Sequence, residues 1–166
     1  MNASRAVLVA ALLVAAVACK KKEGPVDGIG EWHIGKTKVS EGFVCTPWDN
    51  GMTFCSNQPP KTIADHAASV DLYFRGHGDD APLVEILLAV QGACNTEALD
   101  KWLSSRLGSA PTRRGKAFVW PGKAATVAAL LPAADGECRI HFLDPKDETR
   151  LAELEKESQK EPVKAP

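Results

Sequence analysis

The chain carries almost no net charge, with 20 Lys and Arg against 21 Asp and Glu, a formal balance of -1. Without a basic field nothing recruits nucleic acid, and without an acidic excess there is no solvating-tail composition. It lacks an apolar run of spanning length: Ala6 to Ala18 is 13 residues, whereas a membrane-crossing helix needs roughly 20. It has no Cys-x-x-Cys pair, which weakens a zinc reading of its cysteines. There is no Gly-x-Ser-x-Gly elbow, no phosphate-cradling glycine loop and no internal repeat strong enough to claim. These absences exclude the common catalytic signatures and leave address, redox state and architecture as the informative layers.

What is present begins at the N-terminus. Arg5 supplies a positive n-region ahead of the 13-residue apolar run, and about 7–15 apolar residues is the length of an export-signal core. Ala16-Val17-Ala18-Cys19 follows. This segment resembles the lipobox of bacterial lipoproteins: small or aliphatic residues, then an obligatory cysteine. The resemblance implies cleavage before Cys19, diacylation of its thiol and acylation of the new N-terminus. Stable anchoring takes more than one acyl chain, and this chemistry would supply three. It also implies sorting by the next residue. That residue is Lys20 rather than Asp, which favours the outer membrane over the inner. On this reading residues 1–18 are a signal peptide, and 19–29 are the lipidated Cys19 and a polar tether.

Setting Cys19 aside leaves Cys45, Cys55, Cys94 and Cys138. An even number in an exported protein points to bridges, with three possible connectivities. Asp49-Asn50-Gly51 can close a three-residue hairpin loop, a type I turn with Gly51 left-handed. Counting outward, Trp48 faces Met52, Thr46 faces Phe54, Val44 faces Ser56, and Cys45 faces Cys55. Cys94 with Cys138 follows partly by elimination. It also ties the entry of a helix to a strand.

The mature chain predicts a single α+β domain over 30–155 and a disordered tail over 156–166. Strands are expected at 32–39, in the 42–56 hairpin, and at 69–75, 83–91, 116–120, 124–131 and 138–143. In the second of the longer strands, Val84, Ile86, Leu88 and Val90 share one face, and Glu85 lies on the other. Helices are expected at 96–107, between Asn95 and Gly108, and at about 145–155, with Asp144 as N-cap and Pro145 at the first position. A mainly antiparallel sheet with both helices packed on one face would bury the apolar side.

Candidate chemistry is sparse. His77, Asp79 and Asp80 offer one imidazole and two carboxylates in a glycine-rich turn, a candidate metal set. The same residues are ordinary turn vocabulary, and that reading is preferred. Asp65 and His66 are neighbours that point apart on a strand, while His33 and His141 read as structural histidines. No cofactor is expected. Trp48, beside Pro47 at the hairpin tip, is a candidate partner contact on a braced support, with folding back onto its own sheet as the equal alternative. Trp102 reads as helix core, and Trp32 and Trp120 as sheet packing.

The expected function is therefore a non-enzymatic binding, scaffolding or assembly module, anchored to a membrane and touching an envelope protein or the cell wall. The alternative is a periplasmic hydrolase or metal-dependent enzyme centred on His77, Asp79 and Asp80, with His66. A third is a small-ligand binder on an open sheet face. A helix ending in Leu107-Gly108, then Pro111, then a Trp-bearing strand resembles a pattern in small outer-membrane assembly lipoproteins. It covers about a quarter of the mature chain.

Overall fold

The computed structural model describes residues 26–40, 42–108 and 110–160. The signal-like run, Cys19, Lys20 and residues 161–166 lie outside the described residues. No helix among the described residues is long and apolar enough to cross a membrane.

The elements run β1 (Gly28–Ile29), β2 (Trp32–His33), β3 (Val44–Trp48), β4 (Met52–Ser56), β5 (Lys61–Ile63), β6 (His66–Arg75), β7 (Leu83–Val90), α1 (Thr96–Leu107), β8 (Thr112–Arg114), β9 (Ala117–Trp120), β10 (Thr126–Leu130), β11 (Cys138–Leu143) and α2 (Glu148–Ser158). The fold is α+β. One antiparallel sheet runs β3-β4-β6-β7-β11-β10-β9-β8, with β5 paired to β6, and β1-β2 is a separate small hairpin.

The central strands are apolar on both sides, so each side needs a cover. One cluster joins Leu72, Leu88, Ile140 and Phe142 to Leu99 and Leu103 of α1, and takes in Ile29, Trp32 and Ile34 from the N-terminal segment. The other joins Val119, Ala128, Leu130 and Leu143 to Leu151 and Leu154 of α2. Phe142 and Leu143 are consecutive, and successive strand residues point to opposite faces. The two helices therefore lie on opposite faces, not together on one. The cause is legible in β10, all five of whose residues are buried.

Other boundaries move for local reasons. The expected strand at 32–39 stops after His33, because Gly35 has φ +73 and the Lys36 and Thr37 amides both donate to the His33 carbonyl. The domain begins before residue 30: Ile29 is buried, and Asp27 accepts from His33 Nδ1 at 2.8 Å and Lys36 Nζ at 2.6 Å. Asp65 is not on a strand. Ala64 and Asp65 both have positive φ and form the two-residue turn between β5 and β6.

A register shift at Tyr73 and Phe74 pairs Phe74 with Leu83 and Tyr73 with Glu85. The intervening Val84 bulges, so Leu83 rather than Val84 joins the α1-side core. The second helix starts at Glu148, not at 145, because Asp147 is its N-cap and accepts from the Arg150 amide. It also runs past 155 into the expected tail. Buried Ser158 accepts from the Lys116 amide at 3.0 Å, which holds the last turn against the β8-β9 hairpin.

Candidate functional site

The hairpin β3-β4 has the expected register, with Cys45 opposite Cys55 and Trp48 opposite Met52. Cys45 and Cys55 are bridged, with Cα atoms 4.0 Å apart. The tip departs from a simple type I turn: Asn50 as well as Gly51 is left-handed, at φ 58 and 71, which asparagine tolerates. The short Cα spacing marks a pair that does not exchange backbone hydrogen bonds. By alternation, Cys45 and Pro47 turn their backbone groups to the free edge of the sheet. Proline donates nothing, so Cys45 carries the one outward N–H of β3.

Trp48 is 50% exposed and Val44 58%, and alternation places both on the α2 side of the sheet. The strand register also aligns Phe54 with Tyr73 and Tyr73 with Glu85. Trp48 contacts Phe54 at 5.2 Å between centroids and Tyr73 at 6.1 Å, and Phe54 meets Tyr73 at 5.1 Å. Trp48 thus does some of both readings: it leans on its own sheet and keeps half its surface open.

Beside these rings lies a cleft of about 340 Å³. Trp48, Asp49 and Met52 form its hairpin wall, and Asp147, Arg150 and Glu153 its helical wall. Tyr73, Val84 and Glu85 line the sheet between them.

Glu85 is 4% exposed and would be costly to bury alone. It accepts from His141 Nδ1 at 2.7 Å, Arg150 Nε at 2.8 Å and Arg150 NH2 at 3.1 Å. Burial pushes its carboxyl up, but the hydrogen bonds and charges of His141 and Arg150 outweigh that and hold it at about 2. Burial depresses the Arg150 guanidinium, yet its hydrogen bonds to Glu85 leave it raised overall. Tyr73 is pushed up to about 12, by burial first and then by the charges of Glu85 and Asp71. At neutral pH Glu85 is therefore a carboxylate, Arg150 a guanidinium and Tyr73 a neutral phenol. His141 Nε2 is buried with no hydrogen-bond partner among the described residues.

The structure does not gather the candidate metal turn. Thr53 Oγ1 donates to the Gly76 carbonyl at 2.8 Å. Its one proton being spent, it accepts from His77 Nδ1 at 3.1 Å. His77 thus braces the hairpin beside its tip. Asp79 and Asp80 are exposed, and no group of three or more His, Cys, Asp or Glu among the described residues is placed to hold a metal ion. His66 opens β6, while His77 lies beyond its far end, about 30 Å away along an extended strand. The expected result for His77→Ala is unchanged metal content and a stability loss of no more than about 1 kcal/mol, one hydrogen bond. Elemental analysis and a thermal melt check both; a stoichiometric metal lost in the variant would contradict the reading.

Cys94 and Cys138 form the second bridge, with Cα atoms 5.2 Å apart. It joins the segment just before α1 to the first residue of β11. The residues that sequence reasoning missed are the partners: Tyr73 and Phe54 under Trp48, and Arg150 on Glu85. Glu85 in an otherwise apolar strand was the available signal, since a carboxylate there demands a buried cation or donor.

No known protein family matches the chain, and neither a curated protein nor a solved structure is significantly similar to it.

Proposed function

We propose that this protein is a lipid-anchored envelope lipoprotein whose domain is a non-enzymatic binding module. Its contact surface is the Trp48 face, and it touches an envelope protein or the cell wall. The observation that supports the reading most is Trp48 itself. A half-exposed indole stands on a disulfide-braced hairpin, supported from beneath by Phe54 and Tyr73 and open to an adjoining cleft. A rigid aromatic with little rotamer freedom left to lose is the usual anchor of a protein contact. Glu85, His141 and Arg150 are engaged with one another.

The test is a photo-crosslinking amino acid at position 48, compared in intact cells with the same residue at exposed Lys101 on α1. A discrete adduct at 48 and none at 101 is expected. Adducts at neither position, or the same adducts at both, would defeat the assignment of this surface.

The anchor follows from Ala16-Val17-Ala18-Cys19, and Lys20 favours the outer membrane. Cys19→Ser should abolish incorporation of a fatty-acid analogue and release the protein from membrane fractions. Label retained by the variant would sink the lipoprotein reading.

A further inference from the structure

We infer that the cleft beside Trp48 receives a cationic side chain, lysine or arginine, from a partner protein. This rests on the binding-module reading and names the chemistry it recognises.

Three aromatic rings of this domain are already covered by its own cations. Lys61 lies 4.3 Å from the Trp32 ring centre, Arg106 5.5 Å from Trp102 and Arg113 3.6 Å from Phe118. Trp48 is half exposed and carries no such cation among the described residues. An indole face attracts cations through its quadrupole, more strongly than the other aromatics.

The charges around it agree. Four carboxylates line the cleft, those of Asp49, Glu85, Asp147 and Glu153, against the single guanidinium of Arg150, an excess of three negative charges (4 − 1). That guanidinium is engaged, with Nε and NH2 on Glu85 and NH1 on Glu153. Arg75 offsets part of the excess from the rim, 3.3 Å from Asp147.

Other ligand classes fit worse. An anion would meet more carboxylates than cations, among them Asp49, which has no ion pair among the described residues. The first-turn amides of α2 offer it little, since Asp147 already accepts from the Arg150 N–H at 3.0 Å. An apolar ligand would strip water from carboxylates and give nothing back. A lysine or arginine stem can lie along the indole while its head reaches Asp49 or Glu153.

Two observations make the source a polypeptide. Val44, the other large exposed apolar side chain among the described residues, lies four residues from Trp48 on the same strand face, about 13 Å away. A small amine cannot touch both. Pro47 leaves the β3 edge with one outward N–H, so the partner docks by side chains on the sheet face and not by adding a strand.

The experiment uses the full-length protein in detergent and a fluorescein-labelled Ala-Lys-Ala-Lys-Ala peptide, read by anisotropy. Saturable binding is expected. Acetylating both lysines, or making Trp48→Ala, should each weaken it roughly 5- to 30-fold. The Asp49→Asn, Glu153→Gln double variant should weaken it several-fold and flatten its salt dependence. Equal binding of the acetylated peptide, indifference to Trp48→Ala, or no saturable binding would overturn the inference. Tetramethylammonium competing as well as the peptide would assign the cleft to small amines and overturn the commitment to a protein partner. If position 48 still crosslinks in cells while the lysine peptide fails to bind, the ligand chemistry is wrong and the binding-module reading stands. If both fail, both are wrong.

Discussion

Replacing Arg150 with methionine should lower the stability of the domain by about 3–5 kcal/mol, the cost of stranding one member of a buried ion pair. Glu85 is the stranded member. It is almost fully buried, and Arg150 supplies two of its three hydrogen bonds. The pH dependence gives the effect a signature. The folded-state Glu85 carboxyl is held at about 2, below its ordinary 4.5. A depressed carboxylate contributes stability that is fully present above about pH 4.5 and is lost as pH falls toward 2. That contribution is about 3 kcal/mol by linkage. In the Arg150→Met protein the carboxylate loses its guanidinium, so acidification should relieve it by protonation. The penalty measured at pH 7 should shrink between pH 5 and 3. Urea unfolding of both proteins across that range is the measurement. A loss under 1 kcal/mol at pH 7, or parallel pH profiles, would show that the network contributes little. Changing Glu85 and Arg150 to methionine together should recover most of the loss, since an apolar pair leaves no charge uncompensated.

The second large effect is expected from the bridge between Cys94 and Cys138. Its removal as Cys94→Ala, Cys138→Ala should cost about 4 kcal/mol, from a chain-entropy estimate for the span of 44 residues it closes. Removing Cys45–Cys55, which spans 10, should cost about 3 kcal/mol on the same basis. Location widens the gap. Cys138 is wholly buried and opens β11, the strand between β7 and β10. Cys45–Cys55 braces a hairpin at the sheet edge. Guanidinium unfolding of the two double variants compares them directly. A hairpin-bridge loss equal to or larger than the central one would show that the long loop is already restricted in the unfolded chain.

Local chemistry carried the correct part of the sequence reading. Asp49-Asn50-Gly51 aligns Cys45 with Cys55 because a hairpin's register follows from its loop. Asn95 and Gly108 bound α1 because a side-chain cap and a left-handed terminus act within one turn. The errors came where distant segments decide. Both helices on one face was the economical guess, but Leu143 beside Phe142 already asked for cover on two sides. Pro145 after Asp144 looked like a helix start, yet Asp147 caps the helix instead. Ser158 and its neighbours read as a charged tail because the Lys116 amide that holds the last turn is 42 residues away. Trp48 was legible as an exposed aromatic beside a turn. Its cleft was not, because Glu85 and Arg150 are 65 residues apart and meet through the sheet's order, which no short-range pattern encodes.

Pro47 bears on how this domain behaves in a crowd. An edge strand is a template on which copies of a protein polymerise. At one end of this sheet β3 presents a proline where the next chain would seek a donor. At the other, β8 is three residues long and carries Arg113 and Arg114. Short, charged or proline-bearing edges resist growth. Both end strands of the sheet thus carry features that disfavour strand-by-strand growth.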